Sequence, residues 1–250
     1  MFFTPEAKMP EGLGFSLYDT THLLWLGFFV LLCATCLIVY KKLNTKHRNV
    51  MRICMAAVVF ILENAKNCVA LAVDDFGIGH MPFHLCGINV LLISFSMFKR
   101  TKTVDNFLYY IGIPGAMLAL LTPDWTNMPC MNYFHMHSFL IHMFLVLYPF
   151  VLVASGDFKP ELKMMPKCIL LLIGFSVPAL ILNIIFDTNF MFLMNTANIG
   201  FLELFKNAFG AHQWAFPILL PIIMAIMYLP IFIVNKIKKT KEKQKETVNT

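Results

Sequence analysis

The segment Met81-Pro82-Phe83-His84-Leu85-Cys86 sets a thiol and an imidazole two residues apart, just behind a proline and at the start of a long apolar run. Proline is tolerated in the first turn of a helix, where its missing N–H has no partner to lose. Cys86 is therefore expected in the first turn or two of an apolar helix. There the positive end of the helix dipole favours a nucleophilic sulfur anion. The plainer alternative is a small cysteine packed as an apolar residue. His84 and Cys86, at i and i+2, would point about 200° apart on a helix, so a base for the sulfur comes more readily from another helix.

The elements that must position these groups are membrane helices. The chain has 250 residues, 58% of them hydrophobic and only 14% charged, with a mean hydropathy of +0.70. That composition defines an integral membrane protein. Seven windows approach the roughly 20 apolar residues that a span requires: His22–Tyr40, Val50–Val73, Phe83–Phe98, Phe107–Leu121, Tyr133–Ala154, Cys168–Phe186 and Trp214–Asn235. The third and fourth are short. The unbroken apolar runs lack the period-2 alternation of barrel strands, so the fold class is all-α, a polytopic seven-transmembrane-helix bundle.

Basic residues orient it. Lys41, Lys42, Lys46, Arg48 and Arg52 follow the first window, Lys99, Arg100 and Lys102 the third, Lys159, Lys163 and Lys167 the fifth, and the lysines of Lys236–Lys245 the seventh. By the positive-inside rule the N-terminus is outside and the C-terminus cytoplasmic. Residues 1–21 then form an extracytoplasmic N-terminal segment, 22–235 the transmembrane domain and 236–250 a basic cytoplasmic tail. The segment ahead of the first window lacks the basic n-region and cleavage site of a signal peptide. The net charge of +6 is a topology signal and an attraction to anionic lipid headgroups at the cytoplasmic loops, not a nucleic-acid footprint. A short chain of this kind points to a bacterial cytoplasmic membrane, with an endomembrane the eukaryotic equivalent.

On this topology seven of the eight histidines fall in one half of the membrane, only His47 in the other. His22, His84, Cys86, Asn89, His135, His137, His142, Asn183 and His212 sit at the outer ends of spans, with Asp124 and Asn189 in outer loops. Polar groups in a bilayer are costly and face the bundle interior, so their convergence predicts a polar cavity open to the outside. Deeper in the second window, Glu63 and Lys66 share a helical face at i, i+3 and can pair. Alternatively, Lys66 meets a substrate phosphate or Glu63 orients a histidine.

Two rival uses of these side chains remain open. A Cys86–Cys130 disulfide would remove the nucleophile. His135 and His142, seven apart on one face, could hold a metal with His84 or Cys86, although the i, i+4 pair of known zinc helices is missing. Cys33 and Cys36 form a C-x-x-C inside an apolar helix without neighbouring ligands, and Cys54, Cys68 and Cys168 read as core filler. No metal or cofactor is expected.

Several motifs carry a family likeness. Pro82–Cys86, Gly112-Ile113-Pro114-Gly115-Ala116 running into Leu120-Leu121-Thr122-Pro123-Asp124, Phe139–His142, and Asn183 with Asn189-Phe190-Met191-Phe192-Leu193 resemble the YwaF / transmembrane protein 164 family of seven-span membrane proteins. The likeness extends over about residues 20–230, with His22 and Glu63 at positions where that family has a histidine and a glutamate. Phe190 stands where tyrosine is usual, Pro114 where glycine is common and His137 where glutamine is frequent. The animal member is regarded as a cysteine-dependent acyltransferase acting on phospholipids. The resemblance therefore implies a nucleophile at Cys86 and a family histidine at His142.

The expected chemistry is acyl transfer: Cys86 attacks a lipid acyl carbonyl, and a second lipid's hydroxyl resolves the acyl-enzyme. His142 is the first choice of base and His84 the second. Glu63 would orient the imidazole, and Asn183 or Asn189 would donate to the oxyanion. His22, Lys66, Asn89, Asp124 and His137 complete the substrate-binding set. Membrane phospholipids are both substrate and solvent. The alternatives are a lipid hydrolase with the same Cys/His site, or a transporter or seven-span sensor for a small polar or lipidic ligand.

Overall fold

The computed structural model describes residues 1–197 and 199–248, without the side chains of 238, 239 and 241–248. Most of the chain is helical, and among the described residues there is no strand. Among the described residues nine α-helices follow in order: α1 Thr20–Lys42, α2 Thr45–Ala72, α3 Leu85–Phe95, α4 Lys102–Phe107, α5 Ile113–Leu121, α6 Tyr133–Ala154, α7 Met165–Phe186, α8 Gly200–Phe209 and α9 Ala215–Val248. Of the described residues, six stretches are long and apolar enough to cross a membrane: Thr20–Lys42, Thr45–Ala72, Lys102–Leu121, Tyr133–Ala154, Leu162–Phe186 and His212–Ile237.

The third window departs from expectation. Its helix, α3, has 11 residues, about half of what a span requires. The chain turns at Pro82 and His84 before it and stops at Ser96, whose hydroxyl bonds back to the Ile93 carbonyl at 2.7 Å. The fourth window is longer than expected, because the helix begins at Lys102 under a Thr101 cap. Pro114 has no N–H to offer the Tyr110 carbonyl. Ahead of it the backbone widens into a π-turn, Leu108–Gly112, that joins α4 to α5. Helix α8 lies between the sixth and seventh windows, where no helix was expected. Phe201, Leu202, Phe205 and Phe209 share one of its faces and Glu203, Lys206 and Asn207 the other, the pattern of a helix lying at an interface. At the C-terminal end α9 runs on as helix through Val248.

Helix α6 is the hub. Of its 22 residues 13 are buried, because α1, α2, α3 and α5 all pack on it. Phe139, Met143, Leu145 and Tyr148 of α6 meet Ile88, Ile93, Phe107, Tyr110 and Leu120 in one continuous core. The outer faces of α1, α7 and α9 expose Leu24, Leu170, Ile184 and Ile226. Apolar surface of that extent belongs against lipid.

Candidate functional site

The helix carrying Cys86 begins later than the proline suggests. Pro82 precedes it, His84 is the N-cap residue, and Cys86 is the second helical residue. No side chain caps this end, so the first-turn N–H groups are open, as the start of any uncapped helix leaves them. The Gly87 N–H faces the Cys86 sulfur. Only glycine fits at 87: a Cβ there would come within 2.7 Å of Pro82 Cα, which folds back over the first turn. Cys86 is half-buried and free, and Cys130 is exposed and free.

Three charged groups lie within electrostatic range of this sulfur. The charges of Glu63, Lys66 and Asp124 all reach Cys86, and the same three reach His142. Lys66 and Asp124 also reach His84. Residues from α2, α3, α6 and the α5–α6 loop thus converge on one locus, because α2, α3 and α6 pack on one another.

His142 is half-buried. Its Nδ1–H donates to the Ser138 carbonyl one turn back, at 2.7 Å. That bond leaves Nε2 as a bare lone pair, the state a general base requires. A third group does orient this imidazole, but it is a backbone oxygen. Glu63 is engaged elsewhere: its Oε1 accepts from Lys66 Nζ at 2.5 Å, and its Oε2 lies 3.7 Å from Nε2 of buried His137. His84 accepts at Nδ1 from the Met191 N–H at 3.4 Å and meets Phe190 and Phe192 edge-on or tilted.

Other expected ligand contacts are already spent on the fold. His22, fully buried, accepts at Nδ1 from the Tyr18 N–H and donates from Nε2 to the Leu120 carbonyl. Asn183 accepts from the Phe190 N–H and the Thr188 hydroxyl while donating to the Phe190 carbonyl. Asn189 accepts from the Met194 and Asn195 N–H groups and donates to Asn195. Both asparagines pin the loop after α7, where Met191 and Phe192 take positive φ values of 55° and 57°, a strained conformation for bulky residues. Asn89 differs: it is buried, neither amide atom has a protein partner, and the amide abuts Gly112 of the π-turn. The metal reading loses a ligand. His135 accepts from the Trp25 indole N–H and donates to the Met128 carbonyl, and among the described residues no group of three or more His, Cys, Asp or Glu side chains could hold an ion.

Two features went unread in the sequence. Trp125, in the α5–α6 loop, stacks on the His142 ring with centroids 5.2 Å apart and planes 15° from parallel. The N-terminal segment packs over that loop: the Phe15 N–H donates to the Thr126 carbonyl, and Asn132 donates to the Met1 and Thr4 carbonyls. A proline and an aspartate just before Trp125 are the only local hint, since they mark an ordered turn.

A helical bundle with lipid-facing flanks and several apolar helices long enough to cross a bilayer is a multi-pass membrane protein. The chain belongs to the TMEM164 family, whose pattern matches residues 17–231. No curated protein and no solved structure matches it.

Proposed function

We propose that this protein is a membrane-embedded acyltransferase that uses Cys86 as nucleophile and His142 as base. In the full topology of this reading, α3 together with the non-helical chain on either side of it makes a seventh pass beside the six long stretches, with the N-terminus outside, the C-terminus in the cytoplasm of a cell membrane, and the site in the outer half. The observation that carries the reading is the tautomer of His142, held by Ser138 with Nε2 free, in the same charged cluster as a thiol at an open helix N-terminus.

In the first half-reaction the Cys86 sulfur attacks the acyl carbonyl of a phospholipid and its proton passes to His142 Nε2. The tetrahedral oxyanion collapses, the C–O bond to the lysolipid breaks, and the imidazolium returns the proton to the departing alkoxide. A second lipid's hydroxyl then attacks the thioester, giving its proton to Nε2, and the sulfur leaves and is reprotonated. The open N–H groups at the start of α3 are the oxyanion donors nearest the sulfur. Asn183 and Asn189 are bound into their loop. Lys66, with donor capacity beyond its one bond to Glu63, suits the lipid phosphate.

The test is trapping of the intermediate. Protein in phospholipid vesicles with a labelled acyl chain should acquire label that hydroxylamine removes, and should lose this capacity as Cys86→Ala. Transfer of label to water rather than to a lysolipid would make the protein a hydrolase. Undiminished turnover by Cys86→Ala would overturn the reading.

A further inference from the structure

The geometry points to Trp125 as a positioning residue for His142: its indole face fixes the plane of the imidazole that serves Cys86. This inference rests on the acyl-transfer reading above and adds to it a residue outside the expected site.

The stack is nearly parallel, 15° between planes at 5.2 Å, and Trp125 is only 5% exposed. The indole is itself braced from the side by Phe139, edge to face, at 5.2 Å and 86°. Phe139 in turn lies flat against Trp25, 4.9 Å away and 2° from parallel. Imidazole, indole and two further rings therefore form one packed block reaching from α6 to α1. The Ser138 bond alone leaves the imidazole free to swing about its Nδ1–H···O axis. A flat ring on its face removes that freedom.

The indole nitrogen strengthens the case. Its N–H is buried and has no protein partner, whereas buried tryptophan N–H groups usually find one. A phenylalanine would fill much of the space without that cost. What tryptophan offers over phenylalanine is a broader and more electron-rich face. Such a face attracts the imidazolium that forms whenever Nε2 takes a proton. The charged groups around that ring are Glu63 and Lys66 from α2 and Asp124 from the loop, with His137 one turn away on α6.

The loop is anchored from beyond the site. The Phe15 N–H donates to the carbonyl of Thr126, next to Trp125, at 2.9 Å. Gly14 lies so close that a Cβ there would sit 1.9 Å from the same oxygen. The N-terminal segment thus clamps the residue beside the indole.

Two measurements test this in the full chain, reconstituted in phospholipid vesicles or nanodiscs. The first is catalytic. Trp125→Leu should lower the rate of acyl transfer about 10- to 100-fold, the scale expected for a reacting group displaced by about 1 Å, with KM within about twofold. Trp125→Phe should recover most of that loss. Equal rates for Trp125→Leu and wild type, a change confined to KM, or Trp125→Phe no better than Trp125→Leu would each overturn the inference. The second needs neither turnover nor a folded Trp125 variant. In wild-type protein labelled with 13C-histidine, the His142 Cε1–H resonance, identified by its loss in His142→Gln, should be displaced upfield by the indole ring current. A His142 signal at an ordinary imidazole position would overturn the stack. Failure of the acyl-transfer reading would instead show as a Cys86→Ala protein with wild-type turnover, and would leave this resonance unchanged.

Discussion

The two ends of the bundle handle polar groups in opposite ways. At the end remote from Cys86, cations are matched locally. Arg48 bridges the Asp157 carboxylate at 2.8 Å and the last carbonyls of α1, and Tyr40 donates to the same aspartate. Buried Arg52 donates to the Ser96 carbonyl at 2.6 Å and to Asn49. Arg100 pairs with Asp105, and Lys102 and Lys163 both hold Glu161. At the Cys86 end the same chemistry is left open. Among the described residues His142 Nε2 has no hydrogen bond, the start of α3 is uncapped, the buried Trp125 N–H has no partner, and buried His137 Nε2 has only Glu63 Oε2 at 3.7 Å. Leaving buried polar groups unmade costs roughly 1–3 kcal/mol each. Unpartnered buried atoms occur at the first end too, on Asp105 and Tyr110, so what separates the ends is the local pairing of cations at one and its scarcity around Cys86 at the other.

That contrast predicts which substitutions hurt what. The largest effect falls on chemistry: His142→Ala should lower acyl transfer by about 10² to 10⁴, far more than the modest fall in Tm that follows from emptying one face of the Trp125 stack. At the other end Arg100→Leu should do the reverse. It strands the Asp105 carboxylate, which is 6% exposed, and should cost about 3–5 kcal/mol, read as a clear fall in Tm. Activity per folded molecule should be unchanged. Asn183→Leu sits between the two. It removes three hydrogen bonds that pin Met191 and Phe192 against His84, so roughly 2 kcal/mol of stability and a several-fold loss of rate should go together. If Arg100→Leu destroyed activity at full stability, the division between the ends would be wrong.

How much of this is legible before folding depends on which kind of force is at work. Helix α6 runs Tyr133–Ala154 as hydropathy alone predicts, because burial on nearly all sides leaves an unbroken apolar run. Helix α3 does not, because its C-terminal end is set by a local Ser96 bond rather than by apolar length. Helix α8 escapes a hydropathy reading since Glu203 and Lys206 interrupt the run, and only its 3.6-residue periodicity reveals it. In the site, Cys86, His142, Glu63, Lys66 and Asp124 are nameable from residue type and place in the chain. What orients His142 is not, since a main-chain oxygen carries no signature in sequence. Asn183 and Asn189 illustrate the converse. Short amides bond readily to nearby backbone, and here both are consumed by the loop they sit in. Trp125 reads as ordinary loop filler until its ring is seen on the imidazole.

The smallest effect concerns the clamp over the site. Glu6, in the N-terminal segment, accepts from the Asn127 side chain at 3.3 Å in the same loop as Trp125. Burial pushes its carboxyl above the ordinary 4.5, outweighing the Asn127 hydrogen bond, with Asp124 adding a further push upward. The docked segment therefore holds a proton on Glu6 more tightly than the free segment does. Its contribution to docking is full below the ordinary value and is lost as pH rises through the raised one. Glu6→Gln keeps an acceptor for Asn127 and carries no charge, so docking should become independent of pH across that window. Tryptic cleavage after Lys8 reads the difference. The ratio of wild-type to Glu6→Gln cleavage rates should rise with pH through the window and level off above it. A flat ratio would mean that the segment's hold on the loop owes nothing to Glu6, leaving Phe15, Gly14 and Asn132 as its anchors.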